Sequence, residues 1–280
     1  MSHASGPLLR GLVDDAALFP PGNAPMAAGL AEHATHRSAW YAHLVGPFLC
    51  PASRVDQLAA ALPPDQRLRL AIVFDVTGEG AHQALRAVAQ DERTTLAAVE
   101  ASVATLGADA RAVGANLARL PDATGYLEVP RRDFDAGLDL VLDSGWHAAK
   151  YRTGGVNADA FPSEVELAAF LVAVSARDLP FKLTAGLHHA VRNTDAATGF
   201  EQHGVLNVLV ATRVAQQGGG VSEVAAVLVQ RDPATLLAFV EAWDDDTCAD
   251  VRRSFLSFGC CGVTDPIDEL VDLGLLEGNR

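Results

Sequence analysis

Only two of the 21 basic residues in this chain are lysine, Lys150 and Lys182. Both fall inside apolar runs, Ala148-Ala149-Lys150-Tyr151-Arg152 and Leu179-Pro180-Phe181-Lys182-Leu183. A solvated surface cation can be of either type, and everywhere else the sequence uses arginine. Arginine keeps its charge in any protein environment, whereas a buried lysine can lose its proton and act as nucleophile or base. Two ammonium groups held close together and desolvated are expected to lower each other's pKa, which yields an amine ready for Schiff-base formation. The competing reading is structural, with both lysines paired to carboxylates in the core.

Other residues with chemical capacity close the remaining apolar runs. Asp14 and Asp15 end the first, Cys50 the second, Asp75 the third, Glu100 the fourth and Glu128 the fifth. His188 and His189 follow the run that contains Lys182, and Arg152, Thr153, Gly154 and Gly155 follow Lys150. Asp75, Glu100 and Glu128 are candidates for proton transfer. Arg152 offers a planar fork suited to a carboxylate or phosphate, and Thr153-Gly154-Gly155 could add backbone donors to that anion site. His188, His189, Asp14 and Asp15 complete the expected substrate-binding set.

The elements that must position these groups follow from the hydrophobic pattern. Strands are expected near 11–15, 43–50, 68–75, 95–102, 125–129, 148–152, 181–185 and, least clearly, Leu236–Glu241. Amphipathic helices are expected at 26–38, 55–62, 81–89, 108–119, 163–177 and 202–216, with Pro51, Pro162 and Pro233 at helix starts and Gly145 and Gly218 near helix ends. Such alternation argues for βα units around a parallel sheet. The length suits a single-domain (β/α)8 TIM-type barrel over 1–280, with a C-terminal helical tail from about 245. An open doubly wound sheet is the rival, but no GxGxxG follows the first strand. In a barrel, the C-terminal strand ends and the loops beyond them build the active site, which is where the groups above lie.

Lys150-Tyr-Arg-Thr153-Gly154-Gly155 and, 32 residues on, Lys182-Leu-Thr-Ala185-Gly186 resemble the paired lysine strands of the class I (Schiff-base) deoxyribose-phosphate aldolase family. The resemblance implies that Lys150 forms the Schiff base and Lys182 tunes it, without a cofactor, in a carbon–carbon lyase acting on a small carbonyl substrate. Departures are visible. The second motif lacks a double glycine, Arg152 stands where a small residue is usual, and Asp75 or Glu100 would have to serve as proton relay. Leu-Phe-Pro-Pro and Thr-Ala-Gly-Leu-His-His also resemble a group of bacterial proteins of uncharacterised activity.

The same acids support a second chemistry. Asp75, Glu100 and Glu128 lie 25 and 28 residues apart, the layout of the metal site in enolase-type barrels, with Lys150 as base on the next strand. Three carboxylates suit Mg²⁺ or Mn²⁺, which would stabilise an enolate in a lyase or isomerase. His188, His189 and His203 offer a transition-metal variant, although adjacent histidines rarely point the same way. For His203, a helix-capping or core contact is an equal expectation. Cys260 and Cys261 read as a reduced structural pair in a glycine-rich turn, with the alternative that one of them reaches the active site from the last loop. A third reading is a barrel that binds a small ligand without catalysis.

Composition bounds the partners. The formal net charge is −14, without the positive stripe that nucleic acid requires. No apolar run approaches the ~20 residues of a membrane span, and the N-terminus lacks a signal-peptide pattern. Four cysteines without CxxC spacing fit a reducing compartment. The expected setting is cytoplasmic, with a small carbonyl or carboxylate substrate; a homo-oligomer is compatible.

Overall fold

Runs in which alternate residues are apolar become the staves of a closed, all-parallel eight-stranded barrel. The computed structural model describes residues 5–117, 120 and 122–278. The strands are β1 (Val13–Asp15), β2 (Val45–Pro51), β3 (Leu68–Val73), β4 (Thr94–Ser102), β5 (Thr124–Glu128), β6 (Ala148–Arg152) and β7 (Phe181–Thr184). A two-stranded antiparallel ribbon, β8 (Asn193–Thr194) and β9 (Glu201–Gln202), stands outside the barrel, and β10 (Phe255–Cys260) closes it between β7 and β1. This is the (β/α)8 TIM-type architecture.

Two cores follow from the alternation of side chains along each strand. Outward residues such as Tyr151, Phe181, Leu183, Phe255 and Phe258 pack against the helices in one large cluster. Tyr151 stacks on Phe170 at 4.3 Å and Phe181 on Phe255 at 5.2 Å. Inside the barrel a smaller cluster forms from Ala16, Leu49, Ala71, Ala98, Tyr126 and Ala148. Barrel interiors are usually filled by bulky branched side chains. Here alanines occupy much of that space, one pleat below Glu100 and Lys150, and leave room for long charged side chains.

The first seven barrel strands appear within a few residues of their expected positions. The eighth is a correction. Leu236–Glu241 belongs to a helix, Pro233–Glu241, capped by Asp232, whose side chain accepts from Ala234 N. Asp-Pro is a strong helix start, and Leu236 and Val240 bury one helical face. The barrel strand lies instead at Phe255–Cys260, so the segment from 245 is a helix (Asp245–Ser254), a strand and a final helix (Thr264–Asp272), rather than a helical tail. The helix expected over 108–119 runs Ala110–Leu117; its expected end, Arg119, lies outside the described residues, as does the N-terminal Met1–Ala4. Among the described residues no helix is long and apolar enough to cross a membrane.

Candidate active site

Alternation fixes where the lysines point. Ala149 and Tyr151 flank Lys150, and Phe181 and Leu183 flank Lys182; these four belong to the outer core, so both lysines face inward. Their Cα atoms are register partners across β6 and β7, and Glu128 is the register partner of Lys150 across β5 and β6. Lys182 is completely buried, and Lys150 is nearly so, on the floor of a cavity of about 840 Å³ at the carboxyl end of the barrel.

One carboxylate joins the two amines. Glu100 Oε1 lies 2.5 Å from Lys182 Nζ, and Oε2 lies 2.9 Å from Lys150 Nζ. Asp14 Oδ2 meets Lys182 Nζ at 2.5 Å and accepts from Ser257 Oγ at 2.8 Å. Glu128 Oε2 lies 3.2 Å from Lys150 Nζ, while its Oε1 accepts from Arg152 Nε at 3.0 Å. Three acids and three cations thus alternate in one chain, from Asp14 through Lys182, Glu100, Lys150 and Glu128 to Arg152. The face of Tyr126 covers the Lys182 ammonium at 5.2 Å from the ring centroid, a favourable placement for a desolvated cation.

This arrangement corrects the expectation that the pKa of Lys182 is depressed. Burial does push Lys182 downward, but Asp14 and Glu100 outweigh it and hold the ammonium well above its ordinary range. Burial likewise pushes Glu100 up, yet Lys150 and Lys182 together bring it down to about 2. Burial raises Asp14 and is the larger influence there, ahead of Lys182. Glu128 is lowered: burial opposes, and Lys150 and Arg152 prevail. Lys182 thus holds Glu100 Oε1 from one side while Lys150 meets Oε2 from the other.

Gly46 on β2 makes room for the far end of this chain. A Cβ built there would lie 1.8 Å from Asp14 Oδ1. Gly46→Ala should displace the Asp14 carboxylate from Lys182 and destabilise the protein by about 1–3 kcal/mol, as overpacking does. Denaturant unfolding reads this directly; an unchanged midpoint would show that Asp14 has another place to go.

Several expected residues lie elsewhere or do other work. Asp15 points away from the barrel interior, where it accepts from Ala17 N at 3.0 Å and meets His33 Nδ1 at 2.8 Å; adjacent strand residues face opposite sides, so Asp14 and Asp15 could not both face the substrate. Asp75 reaches the cavity rim, but its carboxylate accepts from Ser53 N at 2.9 Å and from the Ser53 hydroxyl. Consequently Asp75, Glu100 and Glu128 do not converge as a metal triad: two neutralise lysines and one holds a loop. Thr153 is buried, and its hydroxyl donates to Ala185 O at 2.5 Å, tying the segments just beyond β6 and β7 together. Gly154 packs so near Gly186 that a Cβ would sit 2.5 Å from its Cα. Arg152 and Gly155 do line the cavity.

His188 and His189 also reach the cavity but diverge. His188 Nδ1 meets Asp265 Oδ2 at 2.9 Å, and His189 Nδ1 meets Glu269 Oε1 at 2.5 Å. The hydrogen bond to Asp265, with smaller help from both nearby thiols, raises His188 to about 12. His203 is structural: it is buried, bonds Pro162 O at 2.9 Å, and is lowered by burial to about 4. All four cysteines are free thiols, and Cys260 ends β10 rather than sitting in a turn.

Sequence reasoning overlooked Tyr126, Ser257, Asp265 and Glu269. Tyr126 was findable, because it precedes Glu128 by two and so shares its face. Ser257 was hidden by the misplacement of the eighth strand. The four-residue spacing of Asp265 and Glu269 on the last helix puts both on one face. No protein-family model matches the chain, and no curated protein or solved structure matches it either.

Proposed function

We propose that the protein is a carbon–carbon lyase that forms a Schiff base between Lys150 and a carbonyl substrate. The observation that carries this reading is that Lys150 alone of the two lysines opens onto the cavity, between two carboxylates and in front of a second, permanently charged lysine. The barrel fold is one that commonly carries enzymes, although by itself it selects no chemistry.

The geometry suggests how the amine is released. Glu128 is shared between Lys150 and Arg152. A substrate carboxylate that takes the Arg152 fork withdraws a cation from Glu128, which raises its basicity. Glu128 then accepts a proton from the Lys150 ammonium, and the neutral amine adds to the substrate carbonyl. The proton returns from Glu128 to the departing hydroxyl, giving an iminium and water. With Glu128 ionised again, it can take the proton of a β-hydroxyl as the C–C bond breaks, leaving an enamine on Lys150 and a free aldehyde. Protonation of the enamine carbon and hydrolysis restore the lysine.

The cavity walls add a preference. Phe19, Phe74, Phe161 and Phe200 face the same space as Arg152, so the reading favours a keto acid with an apolar body. Borohydride reduction with a panel of aldehydes and keto acids should trap one adduct per chain, mapped by peptide mass to Lys150 and absent from Lys182. No adduct at Lys150 with any member of the panel would overturn the proposal.

A further inference from the structure

Beyond the carboxyl ends of β7 and β10, three metal-binding side chains meet from three separate elements. His188 lies in the loop after β7, Cys260 is the last residue of β10, and Asp265 is in the first turn of the helix Thr264–Asp272. Their donor atoms all lie within 4.8 Å of one another. Cys260 Sγ is 3.6 Å from His188 Nδ1, and Asp265 Oδ2 is 2.9 Å from the same nitrogen. Zinc bonds of ~2.3 Å to sulfur and ~2.0–2.1 Å to nitrogen, arranged tetrahedrally, separate those two atoms by about 3.6 Å. The sulfur–nitrogen edge is therefore already at the coordination distance, and the oxygen–nitrogen edge needs to widen only slightly.

Two further observations bear on the ligand set. Gly262 leaves room for the carboxylate, since a Cβ there would lie 2.3 Å from Asp265 Oδ2 and push that side chain aside. Cys261 approaches the imidazole from the other side, with Sγ 3.7 Å from Nε2, and cannot join an ion held on Nδ1. His188 and Asp265 both border the cavity, which leaves a fourth coordination position facing it.

We propose that His188, Cys260 and Asp265 form a site for a divalent transition ion of the zinc class, with its open position toward the cavity. The sulfur donor disfavours magnesium and calcium, and imidazole with thiolate suits zinc. A thiolate, a carboxylate and a neutral imidazole balance the charge of the ion. Binding releases two protons, from the Cys260 thiol and from His188 Nδ1, and breaks the hydrogen bonds they make to Gly262 O at 3.1 Å and Asp265 Oδ2 at 2.9 Å.

Cobalt(II) is the probe. The full chain, stripped by chelator and kept reduced with a phosphine, is titrated with Co²⁺ and followed by absorption. The expected result is saturation at one ion per chain, with a sulfur-to-cobalt charge-transfer band and tetrahedral visible bands that Zn²⁺ abolishes. Cys261→Ser should keep the spectrum, and Cys260→Ser should lose the charge-transfer band. Should the buried Cys260→Ser variant fail to fold, Asp265→Asn serves instead, with at least tenfold weaker binding expected. No charge-transfer band in the wild type, or a band lost with Cys261 rather than Cys260, overturns the site. The outcome is independent of whether Lys150 forms a Schiff base.

Discussion

Lys182→Met should lower the thermal midpoint of unfolding by roughly 10 °C. Removing one partner of a buried ion pair costs about 3–5 kcal/mol, because the remaining charge stays desolvated, and each kcal/mol is worth about 2–4 °C in a chain approaching this size. Methionine keeps the volume and the packing against Tyr126, so the loss isolates the charge. Among the described residues, Asp14 would retain Ser257, and Glu100 would retain Lys150, as close partners. The sign of the pH dependence is also determined. Asp14, already raised by burial, would rise further once its cation is gone. A carboxyl whose folded pKa exceeds its unfolded value destabilises the fold above that range and ceases to do so once protonated. The gap between variant and wild type should therefore be widest near neutral pH and narrow on acidification. Asp14→Asn in the Lys182→Met background should recover part of the lost stability. Thermal unfolding of the two variants across pH reads all three effects, and a gap of only a degree or two would show that Lys182 is dispensable to the fold.

Lys150→Arg is expected to do the reverse, sparing the fold and ending the chemistry. Arginine preserves the positive charge between Glu100 and Glu128, so the thermal midpoint should stay within a few degrees. It cannot form a Schiff base, and removal of a catalytic nucleophile typically lowers turnover by roughly 10⁴-fold or more. The background for this experiment is unusually clean, since the only other primary amines are the buried Lys182 and the chain terminus. Borohydride adducts with the compound that modifies wild type should vanish from every internal peptide. Persistent labelling of Lys182 in the variant would move the nucleophile one strand over and reverse the assigned roles.

The fold was legible because its signal is local. Apolar neighbours on either side of Lys150 and Lys182 are enough to aim both inward once the strands are recognised, and Ala148–Arg152 needs no tertiary information. The strand Phe255–Cys260 was harder, because its Ser257, Gly259 and Cys260 lower its apolar signal, while Pro233–Glu241 presents a denser apolar run that is helical by its Asp-Pro cap. The site was legible in its membership more than in its wiring. Spacing brought Glu100, Glu128 and the lysines to one mouth, but which atom bridges which pair depends on barrel closure and stagger, and that decides whether Glu100 acts as a free acid or as a shared counter-ion. Asp75 was misleading for the same reason: the run ends there, yet Ser53, 22 residues earlier, holds its carboxylate.

The closing seam of the barrel joins β1 to β10, so Asp14 meets Lys182 across 168 residues and Ser257 across 243. A ribosome releases the first of these partners long before the others exist. Until the final strand emerges, the sheet cannot close between β7 and β1, and the lysines and acids on β4 to β7 remain hydrated, because burying them before Asp14 docks on Lys182 is costly. Vectorial synthesis therefore delays dehydration of the charged floor to the last step, and this floor should form all at once, late, and only in chains translated past the eighth stave.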